Sequence, residues 1–247
     1  MLARLHLDPM LAGPALAVGA ELQLPANASR HVQVLRLQPG QQITLFDGQG
    51  GEWGAEILAM DRKTVSARLM VHLAVERELS TEVTLALGMP ANERMDGLVE
   101  KATELGVACI QPLVCERSVL RLAGERAERK TAHWQAIAVS ACEQSGRNRV
   151  PRVALPMNLR DWLATQAESA SRRLLLSLAP NALPLARSLS TAAAITALSG
   201  PEGGLSAAEV ALAESCGFTP VSLGARVLRA DTAPLALLAC VAALETA

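Results

Sequence analysis

Chemistry in this 247-residue chain concentrates in two loops. The first, Ser199-Gly200-Pro201-Glu202-Gly203-Gly204-Leu205-Ser206, follows a strand-like run, Ala194 to Leu198, and leads into a helix. Its glycines let a backbone approach a bound molecule closely and turn N–H donors toward anionic or carbonyl groups. It is not a phosphate loop of known type, because neither G-x-G-x-x-G nor G-x-x-x-x-G-K-[ST] is present. The same residues also suit a plain tight turn from strand to helix, and composition does not separate the two. The second loop, within Val221 to Pro234, carries Arg226, Arg229 and Asp231. Metal chemistry has no comparable focus. Cys109, Cys115, Cys142, Cys216 and Cys240 form no C-x-x-C and no ligand spacing with His6, His31, His72 or His133. They read as small buried hydrophobes in a reducing compartment.

The elements that must position these loops follow from periodicity. Up to about residue 73 the chain reads as a small β domain. Ile43 to Phe46 and Ala55 to Met60 flank an Asp47-Gly48 turn, and Val65, Ala67, Leu69, Val71 and Leu73 alternate with period 2. From about residue 82, strand and helix alternate. Val83 to Gly88 is a strand, and Met95, Leu98, Val99, Ala102 and Leu105 share a helical stripe that Gly106 ends. Val107 to Cys115 is a strand, a long helix buries Trp134, Ile137, Ala138 and Ala141, and strands follow at Leu174 to Leu178 and Ala194 to Leu198. Ser206 and Glu209 make a capping box for the helix that Cys216 and Gly217 close. Such alternation implies α/β architecture on a mostly parallel sheet, with ligands at the carboxyl ends of its strands. Leu235 to Leu244 is apolar nearly all round, which calls for burial on more than one side.

Composition narrows the partners. Half the residues are hydrophobic and 19% charged, enough for a sizeable core and too apolar for disorder. Two Phe, three Trp and no Tyr rule against recognition by rows of stacked rings. The net charge of −1 hides a local asymmetry, since residues 117–152 hold 8 Lys or Arg against 3 Asp or Glu. Arg117, Arg121, Arg126, Arg129, Lys130, Arg147, Arg149 and Arg152 could face phosphates or simply be solvated. Asp8, Pro9, Gly13 and Pro14 interrupt the first apolar stretch below the ~7 residues a signal core needs. No segment reaches the ~18 to 20 apolar residues of a membrane span. A cytoplasmic protein is expected.

The two loops, GPEGG and SLGARVLRADT, closely resemble those of the RsmE family of 16S ribosomal RNA (uridine-N3) methyltransferases, in the SPOUT superfamily. The likeness runs along nearly the whole chain. It includes Arg30-His31-Val32, Val34-Leu35-Arg36, Pro39-Gly40, Leu45-Phe46-Asp47-Gly48, Glu100 to Val107, Pro112, Glu116-Arg117 and Ala141 to Pro151. The resemblance implies a PUA-like β-barrel RNA-binding domain at residues 1–74 and a trefoil-knotted SPOUT methyltransferase domain at 75–247. It implies S-adenosylmethionine as methyl donor, held by three loops: Ser177 to Pro180, Leu198 to Gly204, and Leu223 to Arg229. The cofactor residues carried over are Leu178, Leu198, Gly200, Pro201, Glu202, Gly203, Gly204, Leu223, Gly224 and Leu228. Arg229 is the catalytic candidate, with an ion pair to Asp231 or Glu202 as its structural alternative, while Glu143 and Asp231 are weaker candidates for accepting a proton. RNA contacts would come from Arg36, Arg117, Arg147, Asn148 and Arg149, the last three exposed beyond a helix end. No metal is implied. The partners would be 16S ribosomal RNA or the small subunit, the family target being uridine 1498, and a second copy of the chain. The chain departs from the family pattern at Pro90-Ala91-Asn92, Asp96 and Ala230-Asp231-Thr232. Alternatives are another SPOUT reaction, on a ribose 2′-oxygen or a different base, and a non-catalytic RNA-binding module. A Rossmann-type nucleotide enzyme lacks its glycine fingerprint.

Overall fold

The computed structural model describes residues 2–8, 16–166, 170–189 and 193–245. Residues 9–15, most of the first apolar stretch and the Pro9, Gly13 and Pro14 that interrupt it, lie outside them. The chain divides into two compact units, Met1–Glu78 with Cys142–Val150, and Leu79–Ala141 with Pro151–Ala247.

In the first unit, β1 (Arg4–His6), β2 (Glu21–Gln23), α1 (Ala26–Val34), β3 (Gln42–Phe46), β4 (Glu52–Met60) and β5 (Val65–Leu73) form a five-stranded sheet with one helix. The strand order is β1-β3-β4-β5-β2, with β1 parallel to β3 and the other pairs antiparallel. Leu5, Leu7, Ile43, Leu45, Ile57, Val65, Ala67 and Leu69 fill the core, as period-2 burial requires. The alternation stops there, and Val71 and Leu73 are exposed. Gly54 pairs with Val71 but the next residue, Ala55, pairs with Leu69, so Met70 is an extra residue on β5. A bulge of that kind shifts the facing of every residue beyond it. Helix α1 interrupts a region read as strands and turns, and it buries Ala28 and Val32 on that core.

The second unit begins with β6 (Glu82–Gly88), α2 (Asn92–Glu104), β7 (Cys109–Val114) and α3 (Gly124–Ser145), whose last turn belongs to the first unit. There follow β8 (Arg152–Val153), β9 (Met157–Asn158), α4 (Leu159–Ala164), β10 (Arg172–Leu176), β11 (Leu183–Pro184) and a single 3₁₀ turn at Leu185–Arg187. The chain continues with β12 (Ala194–Ser199), α5 (Ala207–Ser215), β13 (Thr219–Ser222) and α6 (Thr232–Glu245). The sheet runs β11-β13-β10-β12-β6-β7-β8 with β9 beside β7, and every pairing is parallel. Central strands of such sheets are covered on both faces. Accordingly β12 is buried at five consecutive positions after Ala194. Leu175, Leu198, Ala213 and Phe218 share one cluster that packs β10, β12 and α5 together.

Local signals realise these elements. Gly106 adopts φ +95° just past α2, where its N–H bonds the Thr103 carbonyl and Val107 N–H bonds that of Ala102, a left-handed helix end. Ser206 Oγ accepts from Glu209 N–H at 3.3 Å and Ser206 N–H donates to Glu209 Oε2 at 2.8 Å, closing the capping box. The cysteines differ in burial. Cys115 and Cys142 are buried, which pushes each thiol up to about 12, but Cys109 and Cys216 are half-buried and Cys240 is exposed on α6. The uniform burial expected from their type fails at Cys240, because α6 turns only Pro234, Leu237, Leu238 and Val241 into the core. No described helix is long and apolar enough to cross a membrane.

Candidate active site

Strands β13, β10 and β12 are neighbours and parallel, so their carboxyl ends lie side by side. The three segments leaving them are the three loops singled out in the sequence. They enclose a cavity of about 610 Å³, within the range of small-molecule sites. Of the residues carried over, Leu178, Gly200, Pro201, Glu202, Gly204, Leu223, Leu228 and Arg229 line it. Leu198 lies fully buried in the core beneath, while Gly203 and Gly224 shape the loops without lining the space. Arg94, Ser177, Arg226 and Val227 also line it. Arg94 comes from the first turn of α2, outside the three loops.

Two clamps fix the glycine loop. On one side, Glu202 Oε1 accepts from Ala91 N–H at 3.0 Å and faces Arg94 Nη1 at 3.5 Å. The donor at position 91 is backbone, so the departure at Pro90-Ala91-Asn92 does not touch it. On the other side, Arg117 Nη1 donates to the Gly203 carbonyl at 3.1 Å, and Glu116 N–H donates to Glu209 Oε1 at 2.7 Å. Arg117, expected to meet RNA, thus braces the loop. Below, Gly88 ends β6 directly under Pro201. A Cβ there would sit 2.9 Å from the Gly200 carbonyl carbon and nearer still to Pro201. Asp96 accepts from Trp134 Nε1 at 2.9 Å and lies 2.9 Å from His133 Nε2, which ties α2 to α3.

Arg229 is held by its main chain, since its carbonyl accepts from Thr232 and Ala233 N–H, each at 3.0 Å, at the start of α6. Its side chain is exposed at the cavity and, among the described residues, pairs with neither Asp231 nor Glu202. Asp231 Oδ1 is buried with no hydrogen-bond partner among the described residues, between two residues, Ala230 and Ala233, that line the cavity. Glu143 is engaged elsewhere, accepting from His6 N–H at 2.9 Å and lying 3.7 Å from His31 Nδ1, both in the first unit. No group of three or more potential metal ligands occurs among the described residues.

The RNA methyltransferase domain family matches residues 77–242, and the RNA methyltransferase PUA domain family matches residues 24–70. Ribosomal RNA small subunit methyltransferase E of Synechocystis is 35% identical over 239 residues, 95% of this chain and 77% of its own. The Bacillus subtilis protein of that name is 33% identical, covering 85% of this chain and 84% of its own. The chain belongs to the ribosomal RNA small subunit methyltransferase E family. Among solved structures, the family member from Neisseria gonorrhoeae bound to S-adenosyl methionine superposes with a TM-score of 0.91 at 37% identity. It covers 99% of this chain and 98% of its own. A methyltransferase from Legionella pneumophila in complex with bound cofactor SAM gives 0.91 at 33% identity, with the same shares.

The remaining residues expected to touch RNA in this family member lie in the first unit, and they differ in kind. Arg147 is 3% exposed and Asn148 0%. Arg147 Nε donates to both Glu78 carboxylate oxygens at 3.1 Å, and its Nη2 closes a further contact to Glu78. Asn148 Nδ2 donates to Glu52 Oε2 at 3.1 Å and to the Val75 carbonyl at 2.6 Å, while its Oδ1 accepts from Arg4 at 2.6 Å. The exposure expected beyond the helix end fails for both, because the segment folds onto the sheet: Val150 N–H bonds the Gly48 carbonyl and Gly50 N–H that of Asn148. Burial pushes the Glu52 carboxyl up, but hydrogen bonds from Arg77, Arg4 and Asn148 outweigh it and bring it down to about 2. Arg149 stays exposed, 3.3 Å from Glu76. Arg36 is exposed too, in a left-handed conformation of φ +56° that ends α1.

Proposed function

We propose that this chain transfers the methyl group of S-adenosylmethionine to N3 of one uridine of 16S ribosomal RNA, the family target uridine 1498. The observation that carries the reading is the cavity itself: the two loops of the resemblance and Ser177 to Leu178 line one space, with Arg229 among its lining residues. The site suits that donor. Glycines at 200 and 204 give main-chain access, and Leu175, Val221, Leu223 and Leu228 supply apolar walls for an adenine. The donor contributes an electrophilic methyl carbon on a positively charged sulfur. What the protein must add is alignment and charge stabilisation.

The N3 atom of uridine bears a proton and attacks only as that proton leaves. The new N–C bond then forms as the C–S bond breaks and its electron pair stays on sulfur. Arg229 faces the negative charge that develops on the uracil carbonyl oxygens, with several donors on a group that stays cationic. Asp231, whose Oδ1 has an unmet hydrogen-bonding demand, is the better-placed proton acceptor of the two carboxylates considered, since Glu143 is already satisfied in the other unit.

Residues 1–74 serve in this reading as the RNA-binding domain and 75–247 as the knotted catalytic domain, working in the cytoplasm. Methylation at N3 blocks Watson–Crick pairing, so reverse transcription of 16S ribosomal RNA from a strain lacking this protein loses the stop at that uridine. Nucleoside mass spectrometry of the RNA methylated by the purified protein yields 3-methyluridine. A 2′-O-methylated product would instead select the other SPOUT chemistry, and no product at all the non-catalytic reading.

The active unit is a homodimer in this proposal. Helix α6 buries one side, but Ala239, Cys240, Ala243 and Leu244 remain exposed, an apolar surface suited to a two-fold partner. Sedimentation at micromolar concentration gives twice the 26.0 kDa chain mass, and a single-chain mass would overturn the assignment.

A further inference from the structure

We infer that Arg94 and Arg226 form a phosphodiester subsite that grips the target strand beside the methyl-transfer centre. The inference rests on the methyltransferase reading and goes beyond it to two residues for which the resemblance named no RNA contact. Its basis is a charge imbalance. Three arginines, Arg94, Arg226 and Arg229, line the cavity, against one lining carboxylate, Glu202, and the buried Asp231 carboxylate between the lining residues Ala230 and Ala233. The methyl donor cannot correct this, because its sulfonium and ammonium outnumber its single carboxylate. Charge developing on uracil answers one arginine. Glu202 and Asp231 answer the other two, so the donor's own net positive charge remains as the surplus, and an anion that arrives with the substrate offsets it.

The two side chains are suited to that anion. Arg226 is exposed and, among the described residues, makes no ion pair. Arg94 is half-exposed and lies 3.5 Å from Glu202 through Nη1, which leaves other donors of its five-donor fork for a phosphate oxygen. They come from separate elements, the first turn of α2 and the loop after β13, so a bound strand would be held from two directions. Between Arg226 and Leu228 stands Val227, 77% exposed at the cavity. An exposed apolar side chain next to a cation matches a nucleotide, which offers an apolar base face and an anionic backbone. A free inorganic anion would not use Val227.

The test titrates 16S ribosomal RNA onto the protein with S-adenosylhomocysteine present to prevent turnover, over a range of salt. Arg94→Ala and Arg226→Ala should each flatten the log–log salt dependence by about 0.7 to 1 unit, the loss of one phosphate contact. Arg226→Lys should restore most of that slope, because the ammonium keeps the charge. Calorimetry should show donor affinity retained in Arg226→Ala and Arg226→Lys, while Arg94→Ala, which also frees Glu202 on one side, is read by its salt slope. Unchanged slopes with intact donor binding would overturn the subsite alone. Lost donor affinity with an unchanged slope would also overturn it, by giving the arginines to the donor's carboxylate. Wild-type protein that binds no donor would overturn the methyltransferase reading beneath it.

Discussion

Arg229→Ala should lower the single-turnover rate of 16S ribosomal RNA methylation by about 10²- to 10³-fold, the cost of deleting one preorganised donor to a developing oxyanion. Affinity for donor and RNA should change far less. The reasoning begins with the main chain. The Arg229 carbonyl anchors the first turn of α6 through Thr232 and Ala233 N–H, so the residue sits at a rigid junction rather than on a free loop. Its guanidinium lines the cavity and carries no ion pair with Asp231 or Glu202 that would spend its charge. The neutral uracil of the ground state has little use for a cation, whereas the uridine anion has much, which is the differential binding that accelerates a step. The wild-type rate should climb with pH while loss of the N3 proton limits it, and the variant should keep that slope at a lower level. Equal losses in rate and in binding would make Arg229 a positioning residue instead.

How far such a site can be read from sequence depends on whether the cause is local. The Ser206–Glu209 capping box, the Gly106 helix end and the apolar run of β12 are set by residues within a few positions of one another, and each appears as its pattern required. Periodicity marked where β10 and β12 end, and the resemblance supplied the loops beyond them. Position along a strand was less secure. One extra residue at Met70 reversed the facing of Val71 and Leu73, and nothing in a run of alternating residues announces a bulge. The basic stretch is the sharper case. Arg147 and Arg149 are two positions apart and of one type, yet the first is buried against Glu78 and the second exposed beside Glu76. Their acidic partners precede them by some seventy residues, so charge counting within a window adds their charges where the fold cancels one of them. Arg117 and Glu202 have contacts that are as distant in sequence: Arg117 holds the Gly203 carbonyl, and Glu202, which lines the cavity, is held by Ala91 and Arg94. A functional loop needs supports, and sequence does not label which charged residues support it and which face the ligand.

Gly88→Ala carries the other large expected effect, through one of those unlabelled supports. Gly88 is the last residue of β6, buried and paired with Leu113 of β7, with nothing in its type to suggest a part in the site. Its lack of a side chain lets Pro201 lie directly on the strand. An added Cβ would stand 2.9 Å from the Gly200 carbonyl carbon and closer to the Pro201 ring, so one of two backbones has to move. β6 is paired on both sides, with β7 and β12, whereas the glycine loop is irregular backbone braced by side-chain hydrogen bonds at Glu202 and Gly203. The loop should therefore yield. A shift near 1 Å at a residue that positions reactants is worth about 10²-fold in rate, and the methylation rate should fall by that order together with donor affinity. Gly97→Ala is the matched control. It makes the same change on the exposed side of α2, where a Cβ meets nothing within 4 Å. There the substitution should raise stability by up to about 1 kcal/mol and leave calorimetric donor binding intact. If Gly88→Ala binds the donor as tightly as Gly97→Ala does, the loop does not depend on the bare strand end beneath it.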